Sequence, residues 1–104
     1  MADDSRAPLS QGAWFALVRR ARLPRDLKAA ALVVGSYANA DGSEVFCGIA
    51  RLAVDLDCSY STAQRLLRRL RELEIEVVRK GRKRGMSDEY RLVNGQTLVA
   101  SEVG

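Results

Sequence analysis

Ser59-Tyr60-Ser61-Thr62-Ala63-Gln64-Arg65-Leu66-Leu67-Arg68-Arg69-Leu70-Arg71-Glu72-Leu73 is the stretch that decides the reading of this chain. Its apolar positions fall at 63, 66, 67, 70 and 73. Alternating steps of three and four are the period of a helix buried along one side. Between them stand Gln64, Arg65, Arg68, Arg69, Arg71 and Glu72, so the opposite side is strongly cationic. Ser59 is a good N-cap, because its hydroxyl can accept from the free N–H groups of the first turn.

Just upstream, Ile49, Leu52, Ala53 and Leu56 form a second apolar stripe at helical spacing, opened by Gly48 and broken at Asp57-Cys58. Two helices joined by a tight turn, the second of them basic, follow the helix-turn-helix plan. Downstream, Ile75–Lys80 reads as a strand, Gly81–Asp88 as a polar basic loop and Glu89–Val93 as a second strand. Together these predict a β-hairpin with a long cationic tip.

Farther upstream, Ser10 can cap a helix over residues 11–21, with Trp14, Leu17, Val18 and Ala21 on one stripe. Pro24 ends it and suits the first turn of the next helix, over residues 25–39. There Leu27, Ala30, Ala31, Val34 and Ala38 share a face that Leu32, Val33 and Tyr37 widen, which predicts a helix central to the core. Asn39-Ala40-Asp41-Gly42-Ser43 is a strong turn signal, and Glu44-Val45-Phe46 a short strand. Residues 1–9 read as a flexible N-terminus. Residues 94–104 form a tail for which a pairing strand, a docking segment and disorder all fit. The expected fold class is mainly α with a small β-hairpin.

Composition limits the chemistry. The 104 residues carry 17 Lys+Arg against 13 Asp+Glu and no histidine. Imidazole bases, His metal ligands and His-paired nucleophiles are therefore absent. Cys47 and Cys58 alone cannot complete a structural zinc site, which takes four ligands, and they read as two small hydrophobes. Gly81 and Gly85 lack the strand and helix context of a phosphate loop. The expectation is no enzyme, no cofactor and no metal. No apolar run is long enough to span a bilayer, and Asp3 and Asp4 stand where a secretory signal would be basic. A cytoplasmic location follows as the expectation.

The charge is unevenly placed. Residues 1–64 hold seven basic and seven acidic side chains, whereas residues 65–91 hold ten basic and five acidic. Fourteen of the cations are arginine, the side chain best shaped to grip phosphates and guanine edges. Five cations, Arg79, Lys80, Arg82, Lys83 and Arg84, fall within six residues of the expected hairpin tip.

Residues 48–93 resemble the winged helix-turn-helix superfamily. The match is carried by Ile49-Ala-Arg-Leu-Ala-Val-Asp-Leu and then by Ser59, Thr62, Arg65, Leu67 and Leu70, which follow that family's Ser-x-x-Thr-Val-x-Arg-x-Leu-x-x-Leu pattern, with Ala63 in place of Val. Glu74 stands where the family usually has Gly. The segment from Trp14 to Gly42 resembles small DNA-binding proteins of actinobacterial phages and mobile elements, and the N-terminal domains of some phage replication proteins.

The resemblance implies that residues 59–73 form a recognition helix lying in the DNA major groove. Tyr60, Ser61 and Gln64 would face the groove, Ser59 would contact DNA at the helix start, and Thr62 would support the turn or touch phosphate. Arg65, Arg68 and Arg69 would continue the contact, and the wing cations Arg79, Lys80, Arg82, Lys83 and Arg84 would reach phosphates or the minor groove. Within the helix Glu72 can balance Arg68 or Arg69, but nothing balances Arg65. Trp14, Phe15 and Phe46 read as core. Aromatics are 6% of the chain and none lies within the basic cluster, which speaks against readout of single strands by stacking.

The leading expectation is a sequence-specific double-stranded DNA-binding protein acting as a small transcriptional repressor. Dimerisation or cooperative assembly on DNA would raise its affinity. One alternative is an accessory DNA-binding factor for replication, excision or partition of a phage or plasmid. Another, of a different class, is a protein-interaction module whose cationic face takes an acidic partner.

Overall fold

The computed structural model describes residues 7–73, 75–79, 81 and 88–94. Its elements run β1 (Ala7–Pro8), α1 (Gln11–Arg20), α2 (Arg25–Ser36), β2 (Val45–Phe46), α3 (Ile49–Leu56), α4 (Tyr60–Leu73), β3 (Ile75–Arg79) and β4 (Glu89–Asn94). The protein is mainly helical with a small antiparallel sheet. Among the described residues, no helix is long and apolar enough to cross a membrane.

The periodic stripes become the core. Trp14, Val18, Ala30, Ala31, Val34, Leu52, Ala63, Leu66, Leu67 and Leu70 are buried together with Ile75 and Leu92 of the sheet. α2 packs against α1, α3 and α4, as its broad apolar surface requires. Trp14 sits at the α1–α2 contact, and its indole N–H donates to the Ala31 carbonyl at 2.9 Å. Gly35 makes room for it. A Cβ there would lie 2.5 Å from Trp14 Cδ1 and 2.6 Å from Nε1.

α2 ends at Ser36, three residues before the expected Asn39. Its last turn tightens into i→i+3 bonds, Tyr37 N–H to Val34 and Ala38 N–H to Gly35. The Gln11 side-chain amide then takes the carbonyls of Gly35 and Ala38 at 3.0 and 3.2 Å. α1 thus satisfies carbonyls that a longer helix would have used itself.

β2 and β3 both pair with Glu89 and Tyr90, and so flank β4 on opposite edges. β1 pairs Ala7 with Asn94 and Pro8 with Val93. Residues 7–9, expected within a flexible N-terminus, are therefore a strand and its continuation, with the Leu9 N–H donating to the Leu92 carbonyl at 3.1 Å. Gly42 permits this approach. Its φ is +84°, and a Cβ would lie 1.8 Å from the Leu9 carbonyl oxygen. No local apolar period marks residues 7–9, because their partners are some 85 positions away in sequence. Residues 1–6 and 95–104, with most of the expected tail, lie outside the described residues.

Phe46 also departs from the sequence expectation. It was expected in the core and is 53% exposed, while its neighbours Val45 and Cys47 are buried. A two-residue strand at a sheet edge buries alternate side chains, and Phe46 falls on the outer side. Phe15 is partly buried against the core, and Trp14 fully so. Cys47 and Cys58 are free thiols.

Candidate nucleic-acid interface

α3 and α4 are joined by Asp57, Cys58 and Ser59. Asp57 takes the left-handed conformation, φ 54° and ψ 49°, that ends α3. The Cys58 N–H reaches back to the Ala53 carbonyl at 3.0 Å and the Asp57 N–H to Val54 at 3.2 Å. This is the Schellman arrangement, here closed by Asp rather than the usual Gly. Ser59 then caps α4. Its Oγ accepts from the Thr62 N–H at 3.2 Å and donates to Thr62 Oγ1 at 2.9 Å. Ser59 and Thr62, expected at the interface, are thus engaged with each other in holding the helix start. Its first-turn N–H groups remain directed outward, as at any helix N-terminus.

The two faces of α4 separate as the spacing predicts. Ala63, Leu66, Leu67 and Leu70 are buried, whereas Tyr60, Ser61, Gln64, Arg65, Arg68 and Arg69 are exposed. At 3.6 residues per turn, Ser61 and Arg68 stand near the middle of the exposed face, with Gln64 on one side and Arg65 on the other. Among the described residues, no acidic side chain engages Arg68 or Arg69. Arg65 does have a partner, supplied by another helix. Its Nη2 lies 3.4 Å from Asp26 Oδ2 at the start of α2.

β3 and β4 form the expected hairpin, with a register shift between Val77 and Arg79. The Gly81 N–H donates to Asp88 Oδ1 at 2.8 Å, tying together the two ends of the basic loop. Asp88 and Tyr90 line a cleft of about 810 Å³ whose opposite wall is α4. The loop end of β4 therefore stands across this cleft from the cationic helix. The Arg79 backbone pairs with Glu89. The Arg79 side chain and Lys80, Arg82, Lys83 and Arg84 lie outside the described residues, as does Glu74.

Two cations were not singled out from the sequence. Arg51 on α3 is exposed, and Arg71 of α4 places its guanidinium 5.9 Å from the centroid of the Tyr90 ring. Both line the cleft with Arg68. Arg71 could have been found as a cation at the margin of the helix's apolar stripe. Arg51 carries no local signal beyond lying off the 49/52/53/56 stripe.

Beneath the cleft, the Tyr37 hydroxyl donates to Asp55 Oδ2, tying the end of α2 to α3. Burial and the Asp55 carboxylate push the Tyr37 phenol up to about 12. Burial pushes the Cys47 thiol up to about 11, with the Asp55 charge adding to it. Neither group ionises near neutrality, so neither adds negative charge to this surface. No known protein family, curated protein or solved structure matches the chain.

Proposed function

We propose that this protein is a winged helix-turn-helix protein that binds double-stranded DNA sequence-specifically, with no catalytic step, and acts as a small transcriptional regulator that represses by occupying a promoter. The carrying observation is the exposed face of α4. Ser61, Gln64, Arg65, Arg68 and Arg69 leave the surface of one capped helix whose other face is held in the core.

An α-helix fits the major groove, where amide and guanidinium side chains discriminate base edges and first-turn N–H groups take a phosphate. In this reading Gln64 and Arg65 read bases, and Arg68 and Arg69 neutralise phosphates. The order helix, short strand, helix, helix, hairpin supports the winged reading, with β3 and β4 carrying the basic loop onto the flanking backbone. A cationic surface alone would also suit an acidic protein. An amide and guanidinium groups set together on the outer face of one helix favour the duplex, where both read base edges.

The test is selection of bound fragments from the source genome, followed by footprinting and titration over a range of salt. One protected site at a promoter and a steep loss of affinity with salt are expected. Several phased repeats at an origin or attachment site would instead assign the accessory role. Absence of binding to any such duplex at low salt overturns the DNA reading.

A further inference from the structure

The cleft between α4 and the sheet holds more than charge. The chain has one Trp, three Tyr and two Phe, and four of these six aromatics, Tyr37, Phe46, Tyr60 and Tyr90, line this cleft. They come from four separate segments, so their gathering is a product of the fold. Two are open to solvent, Phe46 at 53% and Tyr60 at 57% exposure. Arg51, Arg68 and Arg71 stand among them, with the Gln64 amide on the same wall. The start of α3, Gly48–Ala50, also lines the cleft and has no side-chain cap on its N–H groups. At about 810 Å³ the space is within the range of small-ligand sites, about 300–1,000 Å³.

Each part answers to one portion of a nucleotide. Exposed aromatic rings offer faces on which any base can stack. Guanidinium groups and uncapped helix N–H groups take phosphate. An amide can pair with a base edge once that edge is free of its complement. A base within a duplex offers its face to its neighbours and cannot use such rings.

We infer that the cleft binds an unpaired nucleotide, its base against Phe46 and Tyr60 and its phosphate on Arg51 and the start of α3. The inference rests on the nucleic-acid reading of α4, and it adds a preference for a duplex that ends in, or opens to, a single strand. The same chemistry would accept a free mononucleotide.

The test is fluorescence anisotropy on the full chain with three probes: a blunt duplex of the selected site, the same duplex with a short adenosine overhang, and one with an abasic overhang of equal phosphate number. Adenosine monophosphate serves as competitor. The adenosine overhang is expected to bind about tenfold tighter than the other two probes, the size of one base–aromatic stack. Phe46→Ala should remove that advantage and leave the blunt duplex affinity and the melting temperature unchanged. Phe46→Trp should retain it, with indole fluorescence quenched by the overhang. If adenosine monophosphate removes the advantage at micromolar concentration, the cleft is a nucleotide site whose ligand is free in solution. Equal affinity for all three probes, with no effect of the mononucleotide, overturns the inference and leaves the duplex reading intact. Binding of the overhang without the blunt duplex supports the inference and overturns the duplex reading. Failure of every probe overturns both.

Discussion

Arg65 Nη2 lies 3.4 Å from Asp26 Oδ2, so the first arginine of the cationic helix is held by a carboxylate at the start of α2. The two side chains are 65% and 50% exposed. Water and salt screen such a pair, which contributes about 0–1 kcal/mol to stability. Its consequence concerns binding, because Asp26 and a nucleic acid compete for one guanidinium.

Asp26→Asn is therefore expected to tighten duplex binding by about two- to fivefold, the factor for releasing an exposed pair. Arg65→Ala should weaken specific binding by about 1–3 kcal/mol. Titration by anisotropy at fixed salt measures both. Weaker binding by Asp26→Asn would show that Asp26 orients Arg65 toward DNA rather than withholding it.

Gln64 and Arg68 neighbour one another on the exposed face and should separate in effect. Arg68→Ala is expected to weaken specific and random duplexes alike, and to lower the salt slope by about 0.9 for one lost phosphate contact. Gln64→Ala should weaken the specific site and spare the random one. The triple substitution of Arg82, Lys83 and Arg84 by Ala should behave as Arg68→Ala does, with a larger change of slope. Salt titrations on both duplexes decide the assignment.

The Trp14–Gly35 contact makes α1 and α2 one packed unit. Gly35→Ala drives a methyl to 2.5 Å from the indole and should cost about 1–3 kcal/mol. Trp14→Phe loses the indole hydrogen bond to the Ala31 carbonyl, which keeps its place in the α2 ladder, at a cost of about 0.5–1.5 kcal/mol. The double variant should lose less than the sum, because a smaller ring makes room for the methyl. Urea denaturation of the four proteins provides the cycle, and strict additivity would disprove the coupling.

Asp57 pays the steric cost of φ 54° in the turn between α3 and α4. Asp57→Gly should stabilise the protein by about 0.5–1 kcal/mol. A higher melting temperature with unchanged duplex affinity is the expected pair of results. A lower melting temperature would mean that the Asp57 side chain makes a compensating contact.

Alkaline pH should destabilise the protein through the Tyr37 phenol and the buried Cys47 thiol. Tyr37 titrates at about 12 and Cys47 at about 11 in the folded state, against ordinary values of 10.0 and 9.0. Between those limits the folded state binds more protons, so stability is complete below about pH 9 and falls as pH rises toward 12. Tyr37→Phe should flatten the upper part of this loss. Melting temperatures from pH 8 to 12 test it, and an unchanged profile in the variant would remove Tyr37 as a cause.

Much of this was legible in the sequence because it is local. The two faces of α4, the Ser59 cap, the Ser10 cap and the turn at Gly42 depend on residues within a few positions of each other, where helical period and capping chemistry act directly. The hairpin of β3 and β4 followed from two strand patterns around a basic loop. The end of α2 is not written locally, because Gln11 of another helix satisfies its last carbonyls. The strand at Ala7–Pro8 has no local signal, because its partners are Val93 and Asn94.

What the chain alone determined is a basic helix with one buried and one exposed face, set among elements of mainly helical character. Only the tertiary structure brought Asp26 to Arg65 and gathered Tyr37, Phe46, Tyr60 and Tyr90 around three arginines. Along the chain no aromatic lies within the basic cluster, which speaks against stacking. Distance along the chain says little about distance across a packed core. Folding α2, α3, α4 and the sheet onto one another turned scattered rings and cations into a single surface.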